Sequence, residues 1–267
     1  MRKYLKLLIA MGAVAVAFTF VAVHPASAEG TFDRIQREKK IRVAIDVANP
    51  PFGILDKDGQ PDGSDVATAR LMAKDLGVEV EFVQVPSTGR IPALLSGRAD
   101  VTIASISVTS DRAKSVMFAN PNGALKITIF GPPDVNIKTP ADLVGKRIGI
   151  TRATLEEATV PKMAPTGTNI VWFDDLAATT QAVLSGQVDA AAMTAFAQNK
   201  IAEGNPDKHL ETKLLVTTAF YGPIVRHDEF ELRQWINTWL FLNGQNGVLA
   251  AIYKKYTGVD LPPLPTF

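Results

Sequence analysis

Short runs rich in β-branched residues alternate with helical patterns along this chain, and that alternation limits the possible folds more than any other feature. The runs cover residues 41–47, 78–85, 101–108, 127–130, 147–151, 170–173 and 188–193. Strands that follow one another through a helix pair in parallel, so the pattern predicts an α/β fold with largely parallel sheets. With 267 residues, 46% of them hydrophobic, the chain can fill one large or two modest cores.

A six-residue pattern occurs twice, as LSGRAD at 95–100 and LSGQVD at 184–189. Each copy ends a helix at glycine and begins an apolar strand. The repetition indicates two lobes of similar build, although a common helix-to-strand turn would produce the same match by chance. We expect a discontinuous first lobe, residues 29–125 and 220–267, and a second lobe, residues 126–219. Segments 124–130 and 219–225 would cross between them, and two crossings form a hinge that can close around a ligand.

Helix ends can also be placed. The helix that begins at Ser64 and Asp65 should stop at Gly77, because glycine accepts the left-handed conformation of a helix C-cap. A second helix should open at Thr139, where a cap residue precedes a proline. Residues 229–257 form a long helical region, and its apolar residues at three- and four-residue spacing predict core packing.

The N-terminal residues 1–28 have the pattern of a secretory signal peptide. A basic start (Arg2, Lys3, Lys6) precedes an apolar stretch at 7–23 and the small-residue site Ala26-Ser27-Ala28. An uncleaved membrane anchor is the alternative, since a stretch of about 17 residues is at the low end of what spans a bilayer. We expect cleavage before Glu29 and a soluble, monomeric protein in the periplasm.

Composition excludes several functions. The chain has no cysteine, which rules out disulfides, cysteine-bound zinc, iron–sulfur clusters and thiol nucleophiles. Lys and Arg number 28 against 27 Asp and Glu, and removal of Arg2, Lys3 and Lys6 leaves 25 against 27, a net charge of −2. A slightly acidic body without a basic run does not fit a nucleic-acid-binding protein.

Residues 100–118 place polar groups at a strand end. Alternate residues of a strand share a face, so the apolar row from Val101 ends in Ser105 and Ser107. In open α/β sheets the carboxyl ends of the strands border the ligand crevice. Thr109 should cap a short helix with Arg112 in its first turn, where a cation opposes the helix dipole. Arg112 is therefore a candidate for meeting an anion, with an ordinary exposed arginine as the alternative.

These motifs, in this order, resemble the family 3 periplasmic solute-binding proteins of polar amino acid ABC transporters. They are NPPFG at 49–53, GSDV at 63–66, RIPALLSG at 90–97, SISVTSDR at 105–112, LVGKRIG at 143–149 and KKYTG at 254–258. Each motif alone is weak, but their order and spacing over residues 29–267 are fairly specific. The resemblance implies a two-lobed type II periplasmic binding fold that closes on one small solute and presents it to an ABC transporter permease.

The resemblance also implies roles for individual residues. Arg112 resembles the arginine that binds the ligand's α-carboxylate with two parallel hydrogen bonds. Ser107 resembles a supporting hydroxyl donor, and Ser105 the residue whose carbonyl receives the α-ammonium. Thr154 matches a helix N-terminus whose amides face the carboxylate. Arg90 lies where relatives that bind acidic amino acids have a similar turn, with a solvated loop arginine as the alternative.

Four positions depart from the family pattern. Asn49 and Ser87 replace aromatic residues of the cleft, which disfavours apolar ligands, and Ala153 replaces a glycine before the second-lobe helix. Thr194 falls where an acid usually neutralises the α-ammonium, and a hydroxyl supplies no charge. Asp46, at the end of the first strand, is the better candidate for that task, although Asp at such a position is commonly a turn cap.

We therefore expect a small anionic solute, most plausibly an acidic or other polar amino acid or a small di-acid. Arg90, Arg112 and Arg152 favour an anion, whereas lysine or arginine would fit only if Asp46 and Asp65 faced the site. Hinge closure without covalent chemistry requires no cofactor and no metal, and we expect neither.

Two other classes of function compete with this interpretation. Some relatives of the family act as dehydratases on cyclic carboxylates, so an exported enzyme on the same scaffold is the main alternative. Its candidate acids or bases are His209 and His227, neither of which has a catalytic partner close in sequence. Glu156 and Glu157 are the remaining candidates, although acids in a first helical turn commonly interact with the helix dipole. The sensing domain of a membrane receptor would need a kinase, a cyclase or a second membrane span after Phe267, and we expect none.

Overall fold

The computed structural model describes residues 29–266, and the expected signal peptide at 1–28 lies outside the described residues. The strands are β1 (Lys40–Ile45), β2 (Ile54–Leu55), β3 (Pro61–Asp62), β4 (Glu79–Gln84), β5 (Val101–Thr102), β6 (Met117–Phe118), β7 (Gly123–Gly131), β8 (Arg147–Thr151), β9 (Asn169–Phe173), β10 (Ala190–Thr194), β11 (Glu211–Tyr221) and β12 (Ile224–Val225). The α-helices are α1 (Thr31–Glu38), α2 (Ser64–Leu76), α3 (Arg90–Leu95), α4 (Leu155–Met163), α5 (Leu176–Leu184), α6 (Ala195–Gly204), α7 (Phe230–Gln245) and α8 (Val248–Thr257). Within this described part, no helix has both the length and the apolar character needed to span a bilayer.

Two five-stranded sheets carry the fold, in the orders β4-β1-β5-β12-β6 and β11-β7-β10-β8-β9. The predicted α/β class is confirmed, but both sheets are mixed rather than largely parallel. In the first sheet β1 pairs in parallel with β4 and β5, while β12 is antiparallel to β5 and β6. In the second sheet β8 pairs in parallel with β9 and β10, while β7 is antiparallel to β10 and β11. The antiparallel pairs involve β7, β11 and β12, which form or adjoin the connections between the sheets. No crossover helix of the described chain lies there to return it for a parallel strand.

The strands β7 and β11 connect the two sheets. They pair with each other from Gly123 opposite Tyr221 to Gly131 opposite Glu211. The first sheet takes its strands from residues 40–118 and 224–225, and the second from 123–221. The expected lobe boundaries after residues 125 and 219 fall inside these two long strands, and they stay a prediction.

The repeated sequence pattern carries the same structural contact in both sheets. Asp100 accepts a hydrogen bond from the Arg42 backbone amide at 2.9 Å and pairs with its guanidinium at 2.6 Å. Asp189 does the same with Arg147, at 2.7 Å and 2.6 Å. In each sheet an aspartate at the start of one strand thus fixes the start of the neighbouring parallel strand. The repeated sequence pattern therefore corresponds to a repeated aspartate–arginine contact between strands as well as to a repeated turn.

Helix ends follow the sequence closely. The helix α2 ends at Gly77, which has φ +72°. At Thr139 the capping box forms, but it opens a short 3-10 helix, Pro140–Leu143. The long C-terminal helical region is two helices, because Gly247 adopts φ +78° between α7 and α8. The apolar face of α7, including Trp239, packs into the core of the first sheet as predicted.

The strand expected over 101–108 ends after Thr102. Ser105 has φ +46°, a left-handed conformation that interrupts the alternation of a strand. Ser107 forms only an isolated bridge to Tyr221 of β11. Thr109 does cap the turn that follows, since its hydroxyl accepts a hydrogen bond from the Arg112 amide at 3.2 Å. Arg112 itself begins a short 3-10 helix, Arg112–Lys114.

Candidate ligand-binding site

A small cavity lies between the two sheets and leaves about 40 Å³ for the centres of water-sized molecules. Segments that follow the carboxyl ends of parallel strands supply most of its polar lining, which is where open α/β sheets hold ligands. The first lobe contributes Asn49, Ser87, Arg90, Ser105, Ser107 and Arg112. The second lobe contributes, among others, Thr151, Thr154, Glu156, Met193 and Thr194. The structure therefore brings seven of the eight residues chosen from the sequence to one cavity, and leaves out Asp46.

Arg112 spans the cavity. Its Nη1 donates to the Ser107 carbonyl at 2.9 Å, and its Nη2 donates to the Ala153 carbonyl of the other lobe at 3.0 Å. Burial, and after it the nearby Arg90, lower the pKa of Arg112 to about 10. A guanidinium has five N–H donors, so two bonds leave donors that can meet a ligand carboxylate.

Arg90 makes three hydrogen bonds to backbone carbonyls. Its Nε donates to Ser87 at 3.0 Å, Nη1 to Ala104 at 3.0 Å and Nη2 to Ala153 at 2.8 Å. The side chain is buried, and this burial lowers its pKa. Arg90 is therefore not a solvated loop arginine, and three of its five N–H donors are already bonded to the backbone in this conformation. It ties its own turn to the opposite lobe.

Ala153 is the point at which the second lobe contacts both arginines. Its carbonyl accepts from Arg90 and Arg112, and its amide donates to Glu157 Oε2 at 2.7 Å. It has φ +58°, the left-handed region in which glycine is favoured. The departure from the family's glycine noted in the sequence is thus accommodated with backbone strain.

The hydroxyl groups of the site are already engaged with their own surroundings. Ser105 Oγ accepts from Asn49 Nδ2 at 3.0 Å, which links two of the first-lobe residues chosen from the sequence. Thr154 Oγ1 donates to the Thr151 carbonyl at 2.6 Å. Thr194 Oγ1 accepts from the Ala197 amide at 3.2 Å and so caps α6. Thr194 lines the cavity, but its side chain supplies no negative charge.

The two aspartates that were to provide charge do not line the cavity. Asp46 accepts from Ser87 Oγ at 2.8 Å and from the Ala48 amide at 3.1 Å, so it caps a turn behind Ser87. Asp65 is buried, and neither of its carboxylate oxygens has a hydrogen bond of normal geometry among the described residues. Burial raises the pKa of Asp65 to about 8, against the lowering effect of the Ser105 amide and Arg90. Both departures arise because loop packing, which a strand-end argument ignores, decides where these side chains point.

Glu156 was considered in the sequence only as a candidate acid for the enzyme alternative, and not as a ligand-binding residue. It is only 5% exposed, and it is the one acidic side chain that lines the cavity in the described part of the chain. Burial raises the pKa of its carboxyl, while its own amide and the Thr154 side chain, and after them Arg90 and Arg112, act to lower it. The available signal was its place in the first turn of α4, two residues after Thr154. Two adjacent acids occur there, and the sequence does not show which one turns inward.

The groups that the enzyme alternative would need are not assembled in this cavity. Neither His209 nor His227 lines it, and Glu156 has no second acid or base beside it among the lining residues. Within residues 29–266, no cluster of three or more metal-ligating acids or histidines occurs either.

Two lobes joined by two long strands, with polar groups from both and two arginines from the first facing the gap, define a class of hinged proteins that bind small solutes. The family can also be stated: this chain belongs to the bacterial extracellular solute-binding proteins of family 3, whose model matches residues 41–259. The resemblance noted in the sequence, with its type II periplasmic binding fold, is confirmed. The family is extracellular, which supports a location outside the cytoplasm.

Three comparisons show how broad the similarity is. The chain is 25% identical to the L-cystine-binding protein of Escherichia coli strain K12 over 254 residues, 94% of this chain and 95% of that one. It is 25% identical to the L-arginine-binding protein of Pseudomonas aeruginosa over 240 residues, 84% and 90% of the two chains. Among solved structures, an ancestral amino acid-binding protein, a precursor of cyclohexadienyl dehydratase, matches with a TM-score of 0.77 and 30% identity over 86% of this chain and 100% of that one. All three are binding proteins.

Proposed function

We propose that this protein captures a polar amino acid outside the cytoplasm and delivers it to the permease of an ABC transporter. The observation that carries the proposal is the Arg112 guanidinium, which lines the interlobe cavity and touches both lobes at once. A ligand carboxylate bound there would be held by charge-assisted hydrogen bonds, the strongest kind available to a small anion.

A single carboxylate suits this cavity better than two. The expectation of an acidic ligand depended on Arg90 as a second clamp, and Arg90 donates to three backbone carbonyls instead. The relatives reported above are named for cystine and arginine rather than for aspartate or glutamate. We therefore propose a zwitterionic polar amino acid and no longer favour a di-acid.

Closure would follow from contacts that the ligand makes with both lobes. A ligand shifts a conformational equilibrium only by as much as it prefers one state over the other. Arg112 belongs to the first lobe and the amides at the start of α4 belong to the second, so a carboxylate between them bridges the gap. The Ala153 carbonyl already brings the two lobes together at this point, which lowers the cost of completing the site.

A thermal-shift screen of the mature protein tests the proposal. The panel contains the twenty amino acids, L-cystine, and small mono- and di-carboxylates without an amino group. A ligand at about 100 times its Kd adds about 2.7 kcal/mol to stability. For a protein of this size that corresponds to a rise in Tm of about 5–10 °C. We expect such a rise with at least one polar amino acid, whereas a response to di-acids alone, or to no amino acid, would contradict the proposal.

A further inference from the structure

The function described so far gives no role to the buried carboxylate of Glu156. Glu156 lies in the first turn of α4 and lines the cavity on the lobe opposite Arg112. We propose that Glu156 receives the α-ammonium group of the amino acid ligand and thereby selects zwitterions over plain carboxylates. This inference depends on the proposed function, because it assigns one contact of the same site.

The other polar groups of the cavity are poorly suited to that task. Thr194 stands where an acid was expected, and its hydroxyl caps α6. Ser105 and Asn49 bond to each other and are uncharged. An ammonium group buried without a negative partner is strongly disfavoured, so a closed site that holds an amino acid needs a carboxylate within reach. Glu156 is the only one that the described lining offers.

Glu156 is buried more deeply than the acid beside it. Its neighbour Glu157 accepts a hydrogen bond from the Ala153 amide at 2.7 Å and remains partly exposed. Glu156 is 5% exposed, and no ion pair within 4.0 Å joins it to a Lys or Arg of the described chain. Its own amide and the Thr154 side chain, and after them Arg90 and Arg112, lower the pKa of its carboxyl against the effect of burial. The carboxylate therefore has polar neighbours at the start of α4, but no cation of the described chain is paired with it.

The arrangement gives a reason for selectivity. With Arg112 on one lobe and Glu156 on the other, the two charged groups of an amino acid backbone would each engage one lobe on closure. A carboxylate that lacks the amino group would leave Glu156 enclosed and unpaired. The closed state would then be less favourable for such a ligand, even though its contact with Arg112 is unchanged.

The test compares each amino acid with its des-amino analogue in Glu156→Gln and in the matched variant Glu157→Gln. L-cystine with 3,3′-dithiodipropionate and L-arginine with 5-guanidinopentanoate are two such pairs, and any other amino acid found in the screen is paired in the same way. Calorimetry gives the selectivity, the Kd of the analogue divided by the Kd of the amino acid. Loss of one charge-assisted contact should reduce this ratio by about 10- to 150-fold in Glu156→Gln. Glu157→Gln should change both affinities by a common factor and leave the ratio as in the wild type.

The outcomes separate the possibilities. If Glu156 only supports the fold or screens the arginines, Glu156→Gln will change both affinities equally, and the inference is wrong. Glu156→Asp, which keeps the charge on a shorter side chain, should retain part of the selectivity and guards against a folding defect in the glutamine variant. If the wild-type protein binds no amino acid at all, the proposed function fails first, and that result is visible before any variant is made.

Discussion

Replacing Arg112 with alanine should abolish ligand binding with little change in stability. A bidentate contact to a carboxylate consists of two charge-assisted hydrogen bonds of about 1.5–3 kcal/mol each. Their loss corresponds to a weakening of about 10²- to 10⁴-fold in Kd. Isothermal titration with the best amino acid of the screen measures this directly.

The expected stability change follows from two opposing effects at the same side chain. Burial and Arg90 lower the pKa of Arg112 to about 10, so the charge disfavours the folded state at neutral pH by at most about 3 kcal/mol. Alanine removes that cost. It also removes the bonds to the Ser107 and Ala153 carbonyls, which contribute a similar amount. We expect the two effects to offset each other to within a few degrees of Tm.

Arg152→Ala is the matched control. Arg152 is also an arginine beside Ala153, but it pairs with Asp174 at 3.3 Å, is about half exposed and does not line the cavity. Its removal changes the net charge by the same amount and should leave Kd within a factor of about three, since exposed pairs contribute little. Normal binding by Arg112→Ala, or an equal loss in both variants, would refute the assignment of Arg112.

Two further predictions concern buried groups outside the direct ligand contacts. Because burial raises the pKa of Asp65 from 3.8 to about 8, the unfolded chain loses this proton first, and stability should fall by several kcal/mol as pH rises from about 4 to 8. Asp65→Asn should remove that fall and raise Tm at pH 7.5, and an unchanged Tm–pH curve would show that Asp65 is not buried as described. Phe196 of the second lobe packs edge-on against Phe52 and Tyr253 of the first, at centroid distances of 5.8 and 6.3 Å. Phe196→Ala should favour the open form, with roughly tenfold weaker binding and a larger radius of gyration in X-ray scattering without added ligand; an unchanged radius would rule out this role for the aromatic contacts.

The sequence predicted the fold class well because its signals are local. β-branched runs, a glycine after α2 and the repeated pattern ending in Asp100 and Asp189 each specify a nearby piece of backbone. Strand direction was less accessible, because β7, β11 and β12 pair antiparallel as a result of how the chain passes between sheets. The residues within those strands carry no local signal for the direction of the neighbouring strand.

The sequence predicted which residues lie at the candidate site, but it did not predict the contacts that they make there. Arg90 was placed in the cavity, yet two of its three bonds to backbone carbonyls join it to residues 14 and 63 positions away, which a local pattern does not reveal. Asp46 was chosen for its charge at a strand end, but its hydrogen bond with Ser87 turns it away from the cavity. Glu156 was considered only for the enzyme alternative, because the sequence does not show which of two adjacent acids is buried.

By itself, the sequence determined which residue types lie at strand ends, where helices stop, and that a cation at position 112 follows a run of hydroxyls. These features depend on backbone preferences and alternation, which act over a few residues. Only the tertiary structure decided which charges face each other across the gap between the lobes. The burial and pairing of side chains at that gap depend on two surfaces that come from distant parts of the chain. The local sequence of either surface does not show how close the other one lies.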